Sequence, residues 1–80
     1  MTSYAYIIKS LKDESFYIGI TNNPERRLKD HNLGKLRYTR SKRPWILWHI
    51  RKCIDMKEAR KEEIYLKKKN KSFKESLKNI

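Results

Sequence analysis

The apolar residues at the start of the chain predict a β-hairpin. Residues 4–10 and residues 15–21 each place apolar side chains at the period of two that a strand requires. The polar sequence LKDE between them is typical of a turn. In the first strand, this period puts Tyr4, Tyr6 and Ile8 on one face and the intervening residues on the other.

The register of this hairpin determines which side chains meet. If Ser10 faces Ser15 across the turn, Tyr6 lies opposite Gly19 in the second strand. Tyr17 is then the diagonal neighbour of Tyr6 on the same face. Because glycine has no side chain, we expect open space beside the Tyr6 phenol, where a ligand backbone could approach closely.

The segment after the hairpin predicts a helix with an unusual composition. Asn23 is a suitable N-cap and Pro24 a suitable first helical residue. Leu28 is the only strong candidate for the core, whereas Arg27 and His31 are four residues apart and therefore share one face. A helix with so few apolar residues favours a functional role for its polar side chains.

The remaining pattern predicts a loop, a strand and two helices. Residues 32–44 form a basic loop, and the Trp, Ile and Leu content of residues 45–54 predicts the third strand. Asp55 can cap a helix over residues 56–70, and Ser72 can cap a short terminal helix.

One face of the second predicted helix carries a carboxylate. Met56, Ala59, Glu63 and Leu66 are spaced by three, four and three residues, which places them in one stripe toward the core. A lone buried carboxylate is costly, so Glu63 requires a partner. Two partners remain open: an ion pair with Arg27, or a divalent metal ion. Mg²⁺ is commonly bound by one or two carboxylates together with substrate phosphates.

The charge of the chain indicates a polyanionic partner. The chain has 80 residues, with 21 Lys and Arg against 9 Asp and Glu, and a net charge of +12. Residues 31–54 contain no acidic residue, and residues 67–74 are rich in lysine. This surplus favours nucleic acid over acidic lipid, because the lysine-rich helix lacks the broad apolar face that membrane binding requires. The expected nucleic-acid contacts are Lys35, Arg37, Tyr38, Arg40, Lys42, Arg43, Lys67 and Lys68.

Composition also narrows the compartment and the class of site. The single cysteine, Cys53, excludes an intramolecular disulfide and, with only two histidines, argues against a structural zinc site. No apolar run reaches the ~20 residues needed to span a bilayer, and the N-terminus lacks a signal-peptide pattern. We expect a cytoplasmic protein with no membrane association. Its length predicts one domain over residues 1–80, with a lysine-rich C-terminal helical segment.

Several motifs together resemble the GIY-YIG nuclease superfamily, and in particular its small stand-alone bacterial members. YAY (residues 4–6) stands at the first motif, without its glycine, and YIG (residues 17–19) matches the second motif. The sequence NNPERRLKDHN is similar to the family's following helix, and RYTRSKRPW and EARKEEIYLK resemble later segments. The resemblance covers essentially the whole chain. It implies an α+β fold in which helices flank a three-stranded antiparallel sheet.

The same resemblance implies a divalent-metal-dependent DNA endonuclease that hydrolyses phosphodiester bonds. By that resemblance, Glu63 binds one Mg²⁺ or Mn²⁺ ion, and Arg27 neutralises charge on the non-bridging phosphate oxygens. Tyr6 would activate the attacking water, while Tyr17 and His31 would position the water or share protons. Which tyrosine is the base stays open, and Tyr6 is favoured. Free tyrosine has a pKa of roughly 10, so this role requires nearby positive charge to stabilise the phenolate.

The implied substrate is DNA, with branched, flapped or damaged DNA as candidates, and a role in DNA repair. RNA is less favoured, and a protein partner is a candidate for targeting. The alternative function is a non-catalytic DNA- or RNA-binding module that keeps the fold. Retention of all five catalytic candidates favours the nuclease, because binding alone does not need a carboxylate among phosphates. The family's late asparagine has no firm match here, with Asn79 and Asn70 as the two candidates.

Overall fold

A three-stranded antiparallel sheet forms the centre of the computed structural model, which describes residues 2–80. Its strands lie in the order β2-β1-β3, which confirms the predicted α+β class. Along the chain the elements are β1 (Ser3–Ser10), β2 (Phe16–Thr21), α1 (Pro24–Asn32), α2 (Arg37–Arg40), β3 (Trp45–Cys53), α3 (Met56–Lys67) and α4 (Lys71–Ser76). None of the helices in residues 2–80 combines the length and the apolarity needed to cross a bilayer.

The hairpin has the register that the sequence predicts. The Ser10 amide donates to the Ser15 carbonyl over 2.8 Å, and Tyr6 pairs with Gly19 across β1 and β2. Tyr17 lies on the same face as Tyr6. The expected open space is absent, however, because a Cβ on Gly19 would lie 2.6 Å from Tyr6 Oη. The phenol itself lies over Gly19, so this glycine makes room for Tyr6 and not for a ligand backbone.

The two faces of the sheet have separate cores, because successive residues of β1 point to opposite sides. On the first side, here called the α1 face, Tyr6, Ile8 and Trp45 are buried and half-buried Leu28 of α1 packs against them. On the second side, called the α3 face, the cluster is apolar and includes a residue from α3. Its buried members are Ile7, Ile18 and Leu66, with Phe16, Trp48, Phe73 and Leu77 packed against them.

The predicted basic loop contains a short helix. After α1 ends at Asn32, Gly34 adopts a φ of 78°, a conformation that residues with a side chain rarely adopt. The chain then forms α2, so the prediction of a loop over residues 32–44 is wrong in this part. The physical reason is Thr39, which is fully buried and anchors this turn to the core.

The C-terminal helices differ from the prediction at their ends. Asp55 caps α3 as predicted, but this helix ends at Lys67 instead of reaching residue 70. Asn70, and not Ser72, caps α4, because Asn70 leaves the helical conformation and its side chain accepts from the Phe73 amide over 2.9 Å. The asparagine therefore both separates the two helices and begins the second.

Candidate active site

A buried hydrogen bond joins the first strand to the first helix. Tyr6 Oη and His31 Nε2 are 2.9 Å apart, and the solvent-exposed fractions of the two residues are 1% and 0%. The ring of Tyr17 contacts the same imidazole edge-on, with 5.1 Å between the ring centroids. Asn23 fixes the start of α1 by accepting from the Arg26 amide. The polar composition of α1 is thus explained, since the helix supplies the buried partner of Tyr6.

The second nitrogen of His31 is bound by a residue that the sequence did not single out. His31 Nδ1 lies 2.7 Å from Thr39 Oγ1 on α2. The Trp45 indole N–H donates to the Thr39 carbonyl over 2.9 Å, which holds α2 against the sheet. The sequence of the basic loop does not distinguish this threonine. Its role depends on the turn between α1 and α2, which brings Thr39 into contact with His31.

The protonation of the tyrosine and the histidine follows from their burial. Burial raises the pKa of Tyr6 to about 12, and the hydrogen bond and charge of Arg27 act in the opposite direction by favouring the phenolate. Burial lowers the pKa of His31 to about 4, with Arg27 as a second cause. At neutral pH the pair is therefore a neutral phenol and a neutral imidazole.

Arg27 lies at the open side of this network. It is half-buried on α1 and borders two cavities of about 480 Å³ and 220 Å³. Within residues 2–80, no carboxylate lies within ion-pair distance of its guanidinium. A half-buried guanidinium that acts on the Tyr6 phenol and has no carboxylate partner is suited to an anionic ligand such as a phosphate.

Glu63 is on α3, and its charge raises the pKa of Tyr6, which places it within electrostatic range of the phenol. Its side chain is 20% exposed and lies 3.4 Å from Lys67 Nζ, one turn along the helix. The alternative of an ion pair between Glu63 and Arg27 is therefore wrong, because Lys67 is the partner. In the predicted stripe, Ala59 and Leu66 are buried, but Met56 is exposed, since it lies at the end of α3.

The donor set around Glu63 limits which metal the protein could hold. Across residues 2–80 there is no group of three or more His, Cys, Asp or Glu side chains arranged to hold an ion. A single carboxylate does not fit a transition metal that requires several protein ligands. It does fit Mg²⁺ or Mn²⁺, which take oxygen ligands and accept phosphate and water for the remaining positions.

The predicted nucleic-acid contacts fall into two groups in the structure. Tyr38, Arg40 and Arg43 have no carboxylate partner in the described part of the chain, and Tyr38 is 87% exposed. Arg37 and Lys68 are also exposed. The others are neutralised in part by acidic neighbours: Lys35 by Asp30 at 3.5 Å, Lys42 by Asp13 at 3.4 Å and Lys67 by Glu63 at 3.4 Å.

Two arginines of α2 and its following turn are held in place by main-chain carbonyls. Arg40 Nε donates to the Gly34 carbonyl over 2.9 Å, and Arg43 Nε donates to the Arg40 carbonyl over 2.7 Å. Together with Lys12 from the hairpin turn, they line an open groove of about 530 Å³ with no acidic residue in its wall. Lys12 was not predicted as a contact, because its approach to this groove depends on the packing of the hairpin turn against the basic loop.

The side chains of both candidate asparagines bind main-chain groups. The side chain of Asn79 pairs with the main chain of Ile50, accepting over 3.0 Å and donating over 2.9 Å, along the edge of β3. Asn70 caps α4. Neither one is placed by these contacts to serve as the family's late asparagine.

Comparison with known proteins gives one consistent result. A family model described as the GIY-YIG catalytic domain matches residues 2–76. A UPF0213 protein of Bacillus licheniformis is 43% identical over 75 residues, which covers 91% of this chain and 76% of the relative. A UPF0213 protein of Clostridium perfringens is 45% identical over 67 residues, covering 82% of this chain and 71% of the relative.

A solved structure agrees with the fold. The solution NMR structure of a UPF0213 protein from Bacillus halodurans has 36% sequence identity and a TM-score of 0.59 to this chain. The match covers 96% of this chain and 82% of the other. The sheet and its flanking helices are therefore shared over nearly the whole length.

Proposed function

Because this chain belongs to the GIY-YIG catalytic-domain family, alongside the UPF0213 proteins, we propose that it is a divalent-metal-dependent DNA endonuclease that hydrolyses phosphodiester bonds. The observation that supports this most strongly is the buried Tyr6–His31 hydrogen bond, with Tyr17 and Arg27 beside it. A folded protein gains little by burying such polar groups, whereas a phenol with a proton acceptor on one side and a guanidinium on the other suits general-base catalysis.

In the proposed reaction, Tyr6 activates the attacking water. It passes its proton toward His31 while it takes one from the water, whose oxygen attacks the phosphorus. The pKa of the phenol lies far above that of the imidazole, so this transfer is concerted with the attack and does not precede it. Arg27 stabilises both the developing phenolate and the charge that builds on the non-bridging phosphate oxygens. Tyr17 holds the imidazole in place through its edge-on contact.

Glu63 is the residue that would hold one Mg²⁺ or Mn²⁺ ion. Such an ion supplies positive charge to the scissile phosphate and the leaving oxygen when it is bound. To bind the ion, the Glu63 carboxylate must give up its contact with Lys67. Breaking this contact costs little free energy, because the two groups are 3.4 Å apart and the lysine side chain is 56% exposed.

The groove lined by Lys12, Arg40 and Arg43 is the proposed path for the DNA backbone. Its guanidinium groups are oriented by carbonyls before any ligand arrives, which reduces the entropy lost on binding phosphate. Tyr38, which lies on α2 like Arg40, has an exposed ring that can stack on a base. Branched, flapped or damaged DNA remains the proposed substrate class, with RNA as the lesser candidate.

A non-catalytic nucleic-acid-binding module is the second candidate. The observation that favours it is the contact between Glu63 and Lys67, which neutralises the proposed metal ligand in the free protein. Both functions predict salt-sensitive binding, since both depend on contacts with phosphate groups. Only the nuclease predicts a requirement for the carboxylate of Glu63.

The test is a cleavage assay on supercoiled plasmid and on a panel of branched, flapped and single-stranded DNAs and RNA. Wild-type protein is compared with Glu63→Gln, in Mg²⁺, in Mn²⁺ and in chelator, with binding measured on the same substrates. Glu62→Gln is the matched control, because Glu62 is the neighbouring carboxylate on α3 and pairs with Arg51 over 3.1 Å.

We expect metal-dependent cleavage by wild type and by Glu62→Gln, and loss of cleavage with retained binding in Glu63→Gln. Binding without cleavage of any substrate by wild type would support the non-catalytic module. Cleavage that survives in Glu63→Gln would contradict the proposed metal site.

A further inference from the structure

We propose that Thr39 is a positioning residue that, together with the Tyr6 hydroxyl, fixes the tautomer of His31, so that His31 Nε2 is the acceptor of the phenolic proton of Tyr6. The consequence for catalysis rests on the proposed nuclease function, whereas the tautomer itself does not. One hydrogen bond connects β1 to α1, a second connects α1 to α2, and a third joins Thr39 to the Leu36 carbonyl at the start of α2.

The hydroxyl proton of Tyr6 requires an acceptor. Its hydroxyl is buried, and a buried hydroxyl proton without an acceptor is costly. In residues 2–80, His31 Nε2 at 2.9 Å is the acceptor that the structure provides, because the guanidinium of Arg27, which also acts on the phenol, has no acceptor atom. Nε2 must therefore be the unprotonated nitrogen of the ring.

The other imidazole nitrogen, Nδ1, also has a buried partner. A neutral ring with bare Nε2 carries its proton on Nδ1, and Nδ1–H then donates to Thr39 Oγ1 over 2.7 Å. The threonine hydroxyl is left free to donate to the Leu36 carbonyl, which lies 3.4 Å away within the same turn. Every proton of the chain from Tyr6 to Leu36 then has an acceptor, and in residues 2–80 no buried side-chain polar atom is left without a partner.

Thr39 is held in place by burial and by a hydrogen bond to its carbonyl. The residue is 1% exposed, and the indole of Trp45 holds its carbonyl over 2.9 Å. A hydroxyl can donate or accept, and Thr39 Oγ1 accepts from Nδ1–H because its own proton is directed to the Leu36 carbonyl. In that state it holds the ring as the aspartate of a hydrolase triad holds its histidine. Unlike an aspartate it adds no charge, so the imidazole stays neutral until the reaction occurs.

In this arrangement a proton can pass from the attacking water to His31 through the Tyr6 hydroxyl. The O–H bond of Tyr6 breaks and an N–H bond forms at His31 Nε2, while an O–H bond of the attacking water breaks and the O–H bond of Tyr6 forms again. The imidazole becomes an imidazolium whose Nδ1–H still donates to Thr39. It afterwards returns the Nε2 proton to Tyr6 Oη, while the Tyr6 hydroxyl releases its own proton to water in the site. In the opposite tautomer Nε2 already carries a proton, and this transfer cannot occur.

The charged and titratable groups around the ring are Tyr6 on β1, Tyr17 on β2, and Arg27 and Asp30 on α1, with Glu63 of α3 acting on Tyr6. None of them hydrogen-bonds to His31 Nδ1, where Thr39 lies. A change at Thr39 should therefore alter the tautomer without removing a charge from the site.

The experiment measures the tautomer directly by ¹⁵N NMR of protein labelled at histidine nitrogens, at pH 8 and in the absence of DNA. Wild type is compared with Thr39→Val, which keeps the shape but removes the hydroxyl, and with Thr39→Ser, which keeps the hydroxyl. His49, the second histidine, is an internal standard, because its Nδ1 must donate to the Leu77 carbonyl at 2.8 Å. His49→Gln assigns the two sets of signals.

We expect wild type and Thr39→Ser to show His31 protonated at Nδ1, like His49. In Thr39→Val we expect a mixture of the two tautomers, because Nδ1–H then has no acceptor while the Tyr6 proton still requires Nε2. The same variants are then assayed for cleavage. We expect kcat to fall about 10²-fold in Thr39→Val with little change in KM, and to recover in Thr39→Ser. Thermal unfolding of each variant separates this effect from loss of fold.

Two results would overturn the proposal: wild-type His31 protonated at Nε2, or an unchanged tautomer in folded Thr39→Val. If Thr39→Val does not fold, the wild-type spectrum and Thr39→Ser still decide the question. Failure of the proposed function looks different, since wild type would then cleave no substrate while the histidine spectra could still confirm the tautomer.

Discussion

The α1 face and the α3 face of the sheet are built from alternate residues of the same central strand, yet they are held in different ways. On the α1 face, hydrogen bonds of 2.9 Å and 2.7 Å connect the buried side chains of Tyr6, His31 and Thr39.

On the α3 face, the buried cluster of Ile7, Ile18 and Leu66 is aliphatic, and half-buried aromatic residues pack against it. A charged group there, the Lys9 amine, pairs with Glu75 over 2.9 Å. Apolar packing stabilises a fold without requiring particular bond directions. A buried polar group, in contrast, destabilises the fold unless a hydrogen-bond partner lies beside it.

This difference indicates how the two faces divide their roles. The α3 face supplies stability through burial, and a change there should act on unfolding. The α1 face holds a polar network, and hydrogen bonds between buried neutral side chains contribute little net free energy to folding. We therefore expect changes on the α1 face to act on the reaction more strongly than on the fold, and the following predictions test that division in order of expected effect.

Among the changes that compare the two faces without removing a candidate catalytic group, the largest effect is expected for Gly19→Ala, which places a methyl group 2.6 Å from Tyr6 Oη. Because the phenol must move away from its site, we expect cleavage to fall about 10²-fold and stability to fall by about 1–3 kcal/mol. Cleavage rate and urea unfolding check both. Gly34→Ala is the control: its strain at φ 78° should lower stability by about 1–2 kcal/mol, and its methyl group would lie 2.7 Å from the Arg43 guanidinium and weaken DNA binding. The single-turnover cleavage rate at saturating protein should stay unchanged. Equal loss of catalysis in both variants would contradict the argument.

The matching change on the α3 face is Phe73→Ala. This residue of α4 packs against the apolar cluster from a half-buried position, so we expect a loss of about 2–3 kcal/mol in the free energy of unfolding. At a temperature where the variant remains folded, its cleavage rate should lie within about twofold of wild type, a negligible free-energy change. A large catalytic loss in folded Phe73→Ala would show that the faces are not independent.

The third prediction concerns pH. The pKa of His31 is lowered from 6.5 to about 4 in the folded protein, so between these values the unfolded chain binds a proton that the folded one does not. Stability contributed by neutral His31 is therefore complete above pH 6.5 and is lost as the pH falls toward 4. Urea unfolding should show a loss of about 2 kcal/mol between pH 7 and pH 5, which His31→Gln should lack. The same loss in His31→Gln would assign it to other groups.

The smallest effect is expected in the groove. Arg43→Ala should weaken DNA binding several-fold and reduce the slope of log affinity against log salt by about 0.9, as expected for one lost phosphate contact on duplex DNA. Lys42→Ala is the matched control, because Lys42 is already paired with Asp13 and should change the slope less. Fluorescence anisotropy at several salt concentrations measures both. Equal slopes for the two variants would remove the groove from the DNA path.

Local pattern was enough to predict most of the fold. The period of two in β1 and β2, with a polar turn between them, predicted the pairing of Tyr6 with Gly19. Asn23 and Asp55 marked the starts of α1 and α3 because cap residues act through bonds to amides a few residues away. The missed cap at Asn70 shows the limit: Ser72 was an equally suitable cap, and the end of α3 decided between them.

The site was predicted less completely, for a physical reason. Tyr6, Tyr17, Arg27, His31 and Glu63 were singled out as a set, and their catalytic roles remain a prediction. The contact between His31 and Thr39 could not be inferred, because it joins α1 to a short helix that the sequence alone did not indicate. The pairing of Glu63 with Lys67 was also missed, although the two residues are four apart on one helix.

The most direct test of the active site on the α1 face is the single-turnover cleavage rate of Tyr6→Phe. It is measured with saturating protein and Mg²⁺ or Mn²⁺ on the best substrate from the panel. Tyr4→Phe is the matched control, since Tyr4 lies two residues earlier in β1 and loses the same atom. We expect a loss of about 10²- to 10⁴-fold in Tyr6→Phe, with binding retained, and almost none in Tyr4→Phe. Full activity in folded Tyr6→Phe would contradict the assignment of Tyr6 as the base.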